Sequence, residues 1–230
     1  DSTANANNGT KLAATEPNPA TGQVNGAQDF DGANDKVSVT QSASINDLSQ
    51  ITISAWVNAA SFPGIAPRII DKRNANADGA FLWYLVSPGN INFEAHRWQT
   101  VDGNWKTTTY TLPTDTWIYL AITYDYGATT NDPVIYVNGV SQTITELGIP
   151  SGTLAAETET LNIGNRNAQD RAFDNIIDEV RISNSLRAAD WLTTEYNNQN
   201  SPSTFYTIGN ESSPSFIFHP IMPFVPMLVR

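Results

Sequence analysis

Residues Ile176-Ile177-Asp178-Glu179-Val180-Arg181-Ile182-Ser183 place two carboxylates inside a run that otherwise reads as a buried β-strand. A carboxylate removed from water without a partner costs roughly several kcal/mol, so Asp178 is expected to meet a metal ion, an arginine or backbone amides. Asp178 and Glu179 are adjacent, so in a strand they point to opposite faces and cannot act as acid and nucleophile on one substrate. A second group capable of chemistry lies in the middle third, where Trp83, Tyr84, Phe93, His96, Trp98 and Trp105 cluster. Aromatic rings with polar neighbours hold the apolar faces of sugars. Alternation over 90–98 sets Ile91, Phe93 and Ala95 on one side and Asn92, Glu94, His96 and Trp98 on the other. The second set, with Trp105, is the candidate ligand-binding group, although core or rim packing would also account for the two tryptophans.

The elements that must position these residues are strands. Periods near two recur at residues 36–40, 51–57, 68–72, 80–86, 90–96, 106–112, 117–124, 134–137, 160–163 and 176–182. Pro88-Gly89-Asn90, Asp102-Gly103-Asn104, Asn138-Gly139 and Gly164-Asn165 supply turn chemistry between them. One helix is expected, over residues 185–197 with Ser185 as its cap and Leu186, Ala189, Leu192 and Tyr196 as its apolar stripe. The predicted class is all-β: a two-sheet antiparallel jelly-roll sandwich with one short C-terminal helix.

Composition bounds the function. At 230 residues the chain can bury about 70% of its unfolded surface as one domain. A net charge of -11 argues against nucleic acid and anionic membranes and favours cations or neutral ligands such as sugars. There is no cysteine, so disulfides and thiolate metal sites are excluded. No uninterrupted apolar run of about 18 residues is present, so no membrane insertion is expected. The opening residues do not have the make-up of a signal peptide, and the chain is expected to begin in mid-protein.

The order of motifs carries more information than any one of them. Asp1 to Gly9 (Asp-Ser-Thr-Ala-Asn-Ala-Asn-Asn-Gly), Phe30-Asp31-Gly32, 51–57, 117–124, Tyr136-Val137-Asn138-Gly139, Asn162-Ile163-Gly164 and 177–182 together resemble the LamG-like jelly-roll family of the concanavalin A-like lectin and glucanase superfamily, over about residues 1–209. The resemblance departs at the start, where the family's first strand is missing. It implies one structural calcium ion where the N-terminal loop meets the strand of Asp178, with Asp1, Asn5, Asn7 and Asp178 as ligands and Asp31 as a weaker one; hard oxygen donors suit that ion. Acidic turn formers with a hydrogen-bonded Asp178 are the alternative.

The resemblance also implies a function: a non-catalytic carbohydrate-binding or adhesive module, lectin-like, of a larger secreted or cell-surface prokaryotic protein. Its partner would be a polysaccharide or glycan, or another protein, with further domains on the parent chain. A structural spacer or protein-interaction domain without a sugar ligand is the alternative, and a glycoside hydrolase or polysaccharide lyase a remote one. The glucanases of the superfamily carry a Glu-x-Asp-x-x-Glu strand pattern, which this chain lacks; Glu94 stands alone, and no Gly-x-Ser-x-Gly accompanies His96 or His219. A short strand at 205–208 is expected to close the domain. Residues 210–230, apolar but broken by prolines, are expected to form an extended tail.

Overall fold

The computed structural model describes residues 2–13, 16–62, 66–74 and 78–205. In chain order its first strands are β1 (Gly9–Lys11), β2 (Asn18–Thr21), β3 (Gly26–Asp31), β4 (Val37–Val39), β5 (Gln50–Ala59), β6 (Arg68–Arg73), β7 (Gly79–Val86) and β8 (Asn90–Ala95). They are followed by β9 (Gly103–Thr107), β10 (Ile118–Asp125), β11 (Val134–Val137), β12 (Val140–Ser141), β13 (Ile144–Gly148), β14 (Leu161–Ile163) and β15 (Asp174–Ser183). Two helices end the described chain, α1 (Ala189–Asn200) and α2 (Pro202–Phe205). An eight-stranded sheet in the order β1-β4-β14-β6-β7-β8-β9-β13 packs on a seven-stranded sheet in the order β12-β11-β10-β5-β15-β3-β2. Every pairing is antiparallel, as the predicted jelly-roll sandwich requires.

Alternation builds the core. Ile51, Ile53, Ala55 and Val57 of β5 and Leu120 and Ile122 of β10 meet Trp83 and Leu85 of β7, Ile91 and Phe93 of β8 and Trp105 of β9. Tyr124 of β10 bridges the sheets, its ring 5.5 Å from Phe93 and 5.3 Å from Trp105. The other face of β5 is buried as well, because α1 docks there. Leu192 enters a cluster of Trp56, Tyr119, Ala121 and Tyr136. Tyr119 donates to Glu195 at 2.7 Å, and Trp56 donates its indole N–H to Gln199 at 2.5 Å.

Several local expectations shift. The helix begins at Ala189, not Ser185, because Thr52 holds the chain before it: its hydroxyl donates to the Ser185 carbonyl at 2.7 Å and accepts from the Arg187 amide at 2.9 Å. Asn138-Gly139 does form the tight β11–β12 turn, with φ of 50° and 78°. Gly103 lies within β9 and makes no turn; a Cβ there would run into the Trp105 ring. The strand expected at 106–112 ends at Thr107, whose hydroxyl bonds the Tyr110 carbonyl at 2.9 Å and folds the chain back. Phe205 lies in α2 rather than in a strand, which makes two helices where one was expected. The rest of that expected strand and the 210–230 tail lie outside the described residues.

Candidate functional site

The face of the eight-stranded sheet that turns away from the core is polar, and its residues are set in rows by strand register. One row runs Asp71–Leu82–Glu94–Asn104 across β6, β7, β8 and β9. The next runs Arg68–Tyr84–Asn92–Lys106. Beside them, Arg73 stands opposite Gly79, where any Cβ would collide with the Arg73 backbone. His96 follows the end of β8, its amide bonded to the Ala80 carbonyl at 2.8 Å. Alternation therefore delivers Asn92, Glu94 and His96 to one surface, as their spacing predicts.

Glu94 is the hub of this face. It accepts from the Tyr84 hydroxyl at 2.5 Å and from Asn104 at 3.4 Å, while its second oxygen is 2.7 Å from His96 Nε2. Nδ1 of His96 lies 2.8 Å from the Asp102 carboxylate. Burial pushes the Glu94 carboxyl up, but the hydrogen bonds from His96 and Tyr84 outweigh it and leave the group below the ordinary carboxylate range. Burial also works against charge on His96, and the bonds to Asp102 and Glu94 more than compensate, so its pKa is raised. Burial, with Glu94 alongside, pushes the Tyr84 phenol far up and keeps it a donor.

The arginines complete the wall. Arg68 lies over the Tyr84 ring at 4.7 Å, donates to the Ala66 carbonyl at 2.9 Å and pairs with Asp71 at 3.3 Å. Asp71, 1% exposed, is raised by burial despite Arg73 and Arg68. A pocket of about 290 Å³ opens between these strands, Ala66 and Arg171. A second, of about 460 Å³, is lined by His96, Arg97, Asp102, Glu157 and Glu159.

Two expected ligand residues are elsewhere. Trp105 is 0% exposed and belongs to the core, its indole N–H bonded to Asp132 at 2.8 Å. Trp98, 7% exposed, donates to Tyr124 at 3.1 Å and packs on Tyr126. The structure corrects both assignments: β8 stops at Ala95, so the alternation that would turn Trp98 outward has ended before it. Arg73, Arg68, Asp71 and Asn104 were not foreseen, and Tyr84 was named only within the aromatic cluster. The signal available for Tyr84 and Asn104 was strand parity. Irregularities of register between Arg68 and Ile70, and between Asp71 and Arg73, hid the rest.

The described residues expected to hold calcium make other bonds. Asp178, buried in β15, accepts the Val24 amide at 2.8 Å with one oxygen and the Glu179 amide at 2.7 Å with the other. The Gln23 amide helps to hold it, and burial still raises its pKa. Gly22 lies so close that a Cβ would overlap the carboxylate. Of the three expected partner types, backbone amides are therefore the one found. Asn7 is bonded to Ser42 at 2.6 Å and Ser44 at 2.9 Å, and with Asn5 it lines a pocket shared with Val180 and Ile182 of β15. Asp31 caps its own turn through the Ala33 and Asn34 amides, and the Asn5 amide donates to the Thr3 hydroxyl. Asp1 lies outside the described residues. Among the described residues no group of three or more His, Asp or Glu side chains is arranged to hold a metal.

A family profile described as the concanavalin A-like lectin/glucanases superfamily matches residues 6–193. The chain belongs to the concanavalin A-like lectin/glucanase superfamily. Among solved structures of this fold, the binding domain of Paraclostridial Mosquitocidal Protein 1 superposes with a TM-score of 0.64 at 16% identity, over 84% of this chain and 48% of that one. The botulinum neurotoxin serotype G binding domain gives 0.63 at 13% identity, over 86% and 48%. Domain 4 of AbnA, a GH43 extracellular arabinanase from Geobacillus stearothermophilus in complex with arabinotriose, gives 0.56 at 19% identity, over 81% of each chain. At these identities the likeness shows the fold alone, and this superfamily member spans about half the length, 48%, of the toxin domains it matches. No curated protein matches the sequence.

Proposed function

We propose that this chain is a non-catalytic carbohydrate-binding module of a secreted or cell-surface protein, and that it takes a saccharide on the outer face of the eight-stranded sheet. The observation that carries the reading is a concentration of unmet hydrogen-bonding capacity. Asp71 Oδ1, Arg73 Nε, Asn92 Oδ1 and Asn104 Oδ1 are buried atoms without a hydrogen-bond partner, and all four belong to this one face. Each such atom costs about 1–3 kcal/mol; all four are closed to solvent, so a polyhydroxylated ligand offsets the cost only where a side chain turns toward it, as Arg73, which lines the pocket of about 290 Å³, can. Leu82 and Tyr84 line the pocket, but with Leu82 1% and Tyr84 8% exposed and Arg68 over the Tyr84 ring the contacts it offers are chiefly polar. Domain 4 of AbnA, a member of the same fold, was solved with arabinotriose, which supports sugar as the ligand class.

The two cleft carboxyls do not make an acid–nucleophile pair. Asp71, 1% exposed and set against Arg68 and Arg73, is closed to a substrate, and Glu94 is engaged by Tyr84, His96 and Asn104. Asp178 is occupied with backbone amides on the other sheet. These placements support binding without turnover.

A glycan array followed by calorimetry tests the reading. Asn104→Ala and Tyr84→Phe each remove one hydrogen-bonding group with little loss of packing. Each is expected to weaken binding by about 5- to 10-fold, roughly 1–1.4 kcal/mol. Flat responses from the folded wild type, or full affinity in both variants, would favour a spacer or protein-interaction role.

A further inference from the structure

The geometry points to an acidic saccharide, one that presents a carboxylate or sulfate to the guanidinium of Arg73 with Arg68 and Arg171 around it. This rests on the sugar-binding reading above and adds the sign of the ligand's charge.

The chain has 12 Lys+Arg against 23 Asp+Glu, so an average cleft on it would be acidic. The pocket beside Tyr84 is the reverse. Its charged walls are Arg68, Arg73 and Arg171 against Glu94 alone. Asp71 has Arg68 at 3.3 Å on one oxygen and Arg73, as a longer ion pair at 3.8 Å, on the other, and the hydrogen bonds to Glu94 come from Tyr84, His96 and Asn104.

Arg73 has what is left over. Its side chain is only 13% exposed, so most of its hydration is gone, yet the nearest carboxylate oxygen, on Asp71, is 3.8 Å from its Nε. That Nε has no hydrogen-bond partner. Its Nη1 lies 3.4 Å from His96 Nε2, but that nitrogen is engaged at 2.7 Å with Glu94 and, when it donates there, has no lone pair to offer. A largely desolvated guanidinium whose nearest carboxylate oxygen stands at 3.8 Å, beyond hydrogen-bond reach, has donors to spare for a planar or tetrahedral anion.

The neighbouring space sets direction and size. About 290 Å³ is at the small end of ligand pockets, which suits one acidic residue rather than a long polymer segment. The cavity beyond His96 has Asp78, Asp102, Glu157 and Glu159 in its wall with Arg97 as its arginine, so a negative end favours the pocket of Arg68, Arg73 and Arg171 over it.

The test is calorimetry with matched pairs: oligomers of galacturonate, glucuronate and mannuronate, and sulfated oligosaccharides, each against its uncharged counterpart. The expected result is a preference of about tenfold or more for an acidic member, declining as salt is raised. The carboxylate and sulfate arms tell which anion is taken. Arg73→Gln should reduce the acidic member to the affinity of its neutral partner, and Arg73→Lys, which keeps the charge but not the fork, should retain part of the preference. If Arg73→Gln does not fold, Arg73→Lys and the salt dependence of the wild type carry the decision. Equal or better binding of the neutral members, or an undiminished preference in the folded Arg73 variants, overturns the acidic ligand and leaves sugar binding standing. Absence of binding to every member by natively folded protein overturns both.

Discussion

Removal of the Asp178 carboxylate distinguishes an amide-held acid from a metal ligand. Asp178→Ala deletes two hydrogen bonds to an ionised acceptor, at 2.8 Å from Val24 and 2.7 Å from Glu179. Bonds of this kind contribute about 1.5–3 kcal/mol each. Two effects reduce the loss: burial already penalises the charge, as its raised pKa records, and Val24 is only half-buried, so water can reach its amide. A net loss of about 2–3 kcal/mol is expected, which lowers Tm by roughly 5–10 °C for a domain of this size. Urea and thermal unfolding in chelator and in millimolar Ca²⁺ are the assays, and the loss should be the same in both. Gly22→Ala provides a coupling test, since its Cβ would meet Asp178 Oδ2; it should cost more in the wild type than beside Asp178→Ala. A calcium-dependent rise in the wild-type Tm that disappears in Asp178→Ala would refute the amide account and restore the metal.

Two further outcomes follow from the same geometry. Glu94 is lowered from 4.5, so its contribution to stability is complete above that pH and is lost as pH falls through the folded value; His96 is raised from 6.5, so its contribution is complete below that pH and is lost as pH rises through the folded value. The stability difference between the wild type and a Glu94→Gln, His96→Gln variant should therefore plateau between pH 4.5 and 6.5 and decline on both sides, and a flat difference from pH 3 to 9 by denaturant titration would contradict it. Trp105→Ala should cost about 3–5 kcal/mol in denaturant titration, because the ring fills the space between Phe93 and Tyr124. In calorimetry it should lower the competent fraction without weakening the affinity of the folded remainder, whereas a direct loss of affinity at full folding would return Trp105 to the ligand face.

What could be read from the sequence was the part of the fold that carries its own periodicity. β5, β7, β8 and β10 bury apolar side chains at alternate positions, and their existence follows from that pattern; β15 is apolar enough to be read as a strand, but a bulge after Asp178 sends Ile177, Val180 and Ile182 to the core. β1, β2 and β12 were not legible, because Gly-Thr-Lys, Asn-Pro-Ala-Thr and Val-Ser leave most of their side chains at the surface. Their strand state comes from the partner strand's hydrogen bonds, not from burial of their own residues. The start of α1 was misread for a similar reason. Ser185 is a competent cap by type, but a threonine 133 positions earlier binds its carbonyl and keeps the chain extended there.

The candidate site divides along the same physical line. Asn92 and Glu94 share a face because they are spaced by two on one strand, with His96 one residue past its end, and no knowledge of other strands was needed to say so. The significance of Glu94 was not legible, since it comes from Tyr84, His96 and Asn104, which reach it only once three strands are in register. The same limit applied to Asp178. The sequence shows that a buried acid needs a partner, but the Val24 amide that answers it is 154 positions away, and a backbone donor leaves no trace in side-chain type. Gly22 is the nearest thing to a trace, since the absence of its Cβ makes room for the carboxylate. Arginines near a strand end are equally uninformative until it is known which acids they pair with. Arg68 and Arg73 flank Asp71 in the sequence, and only the distances separate the one that is satisfied from the one whose Nε still lacks a hydrogen-bond acceptor.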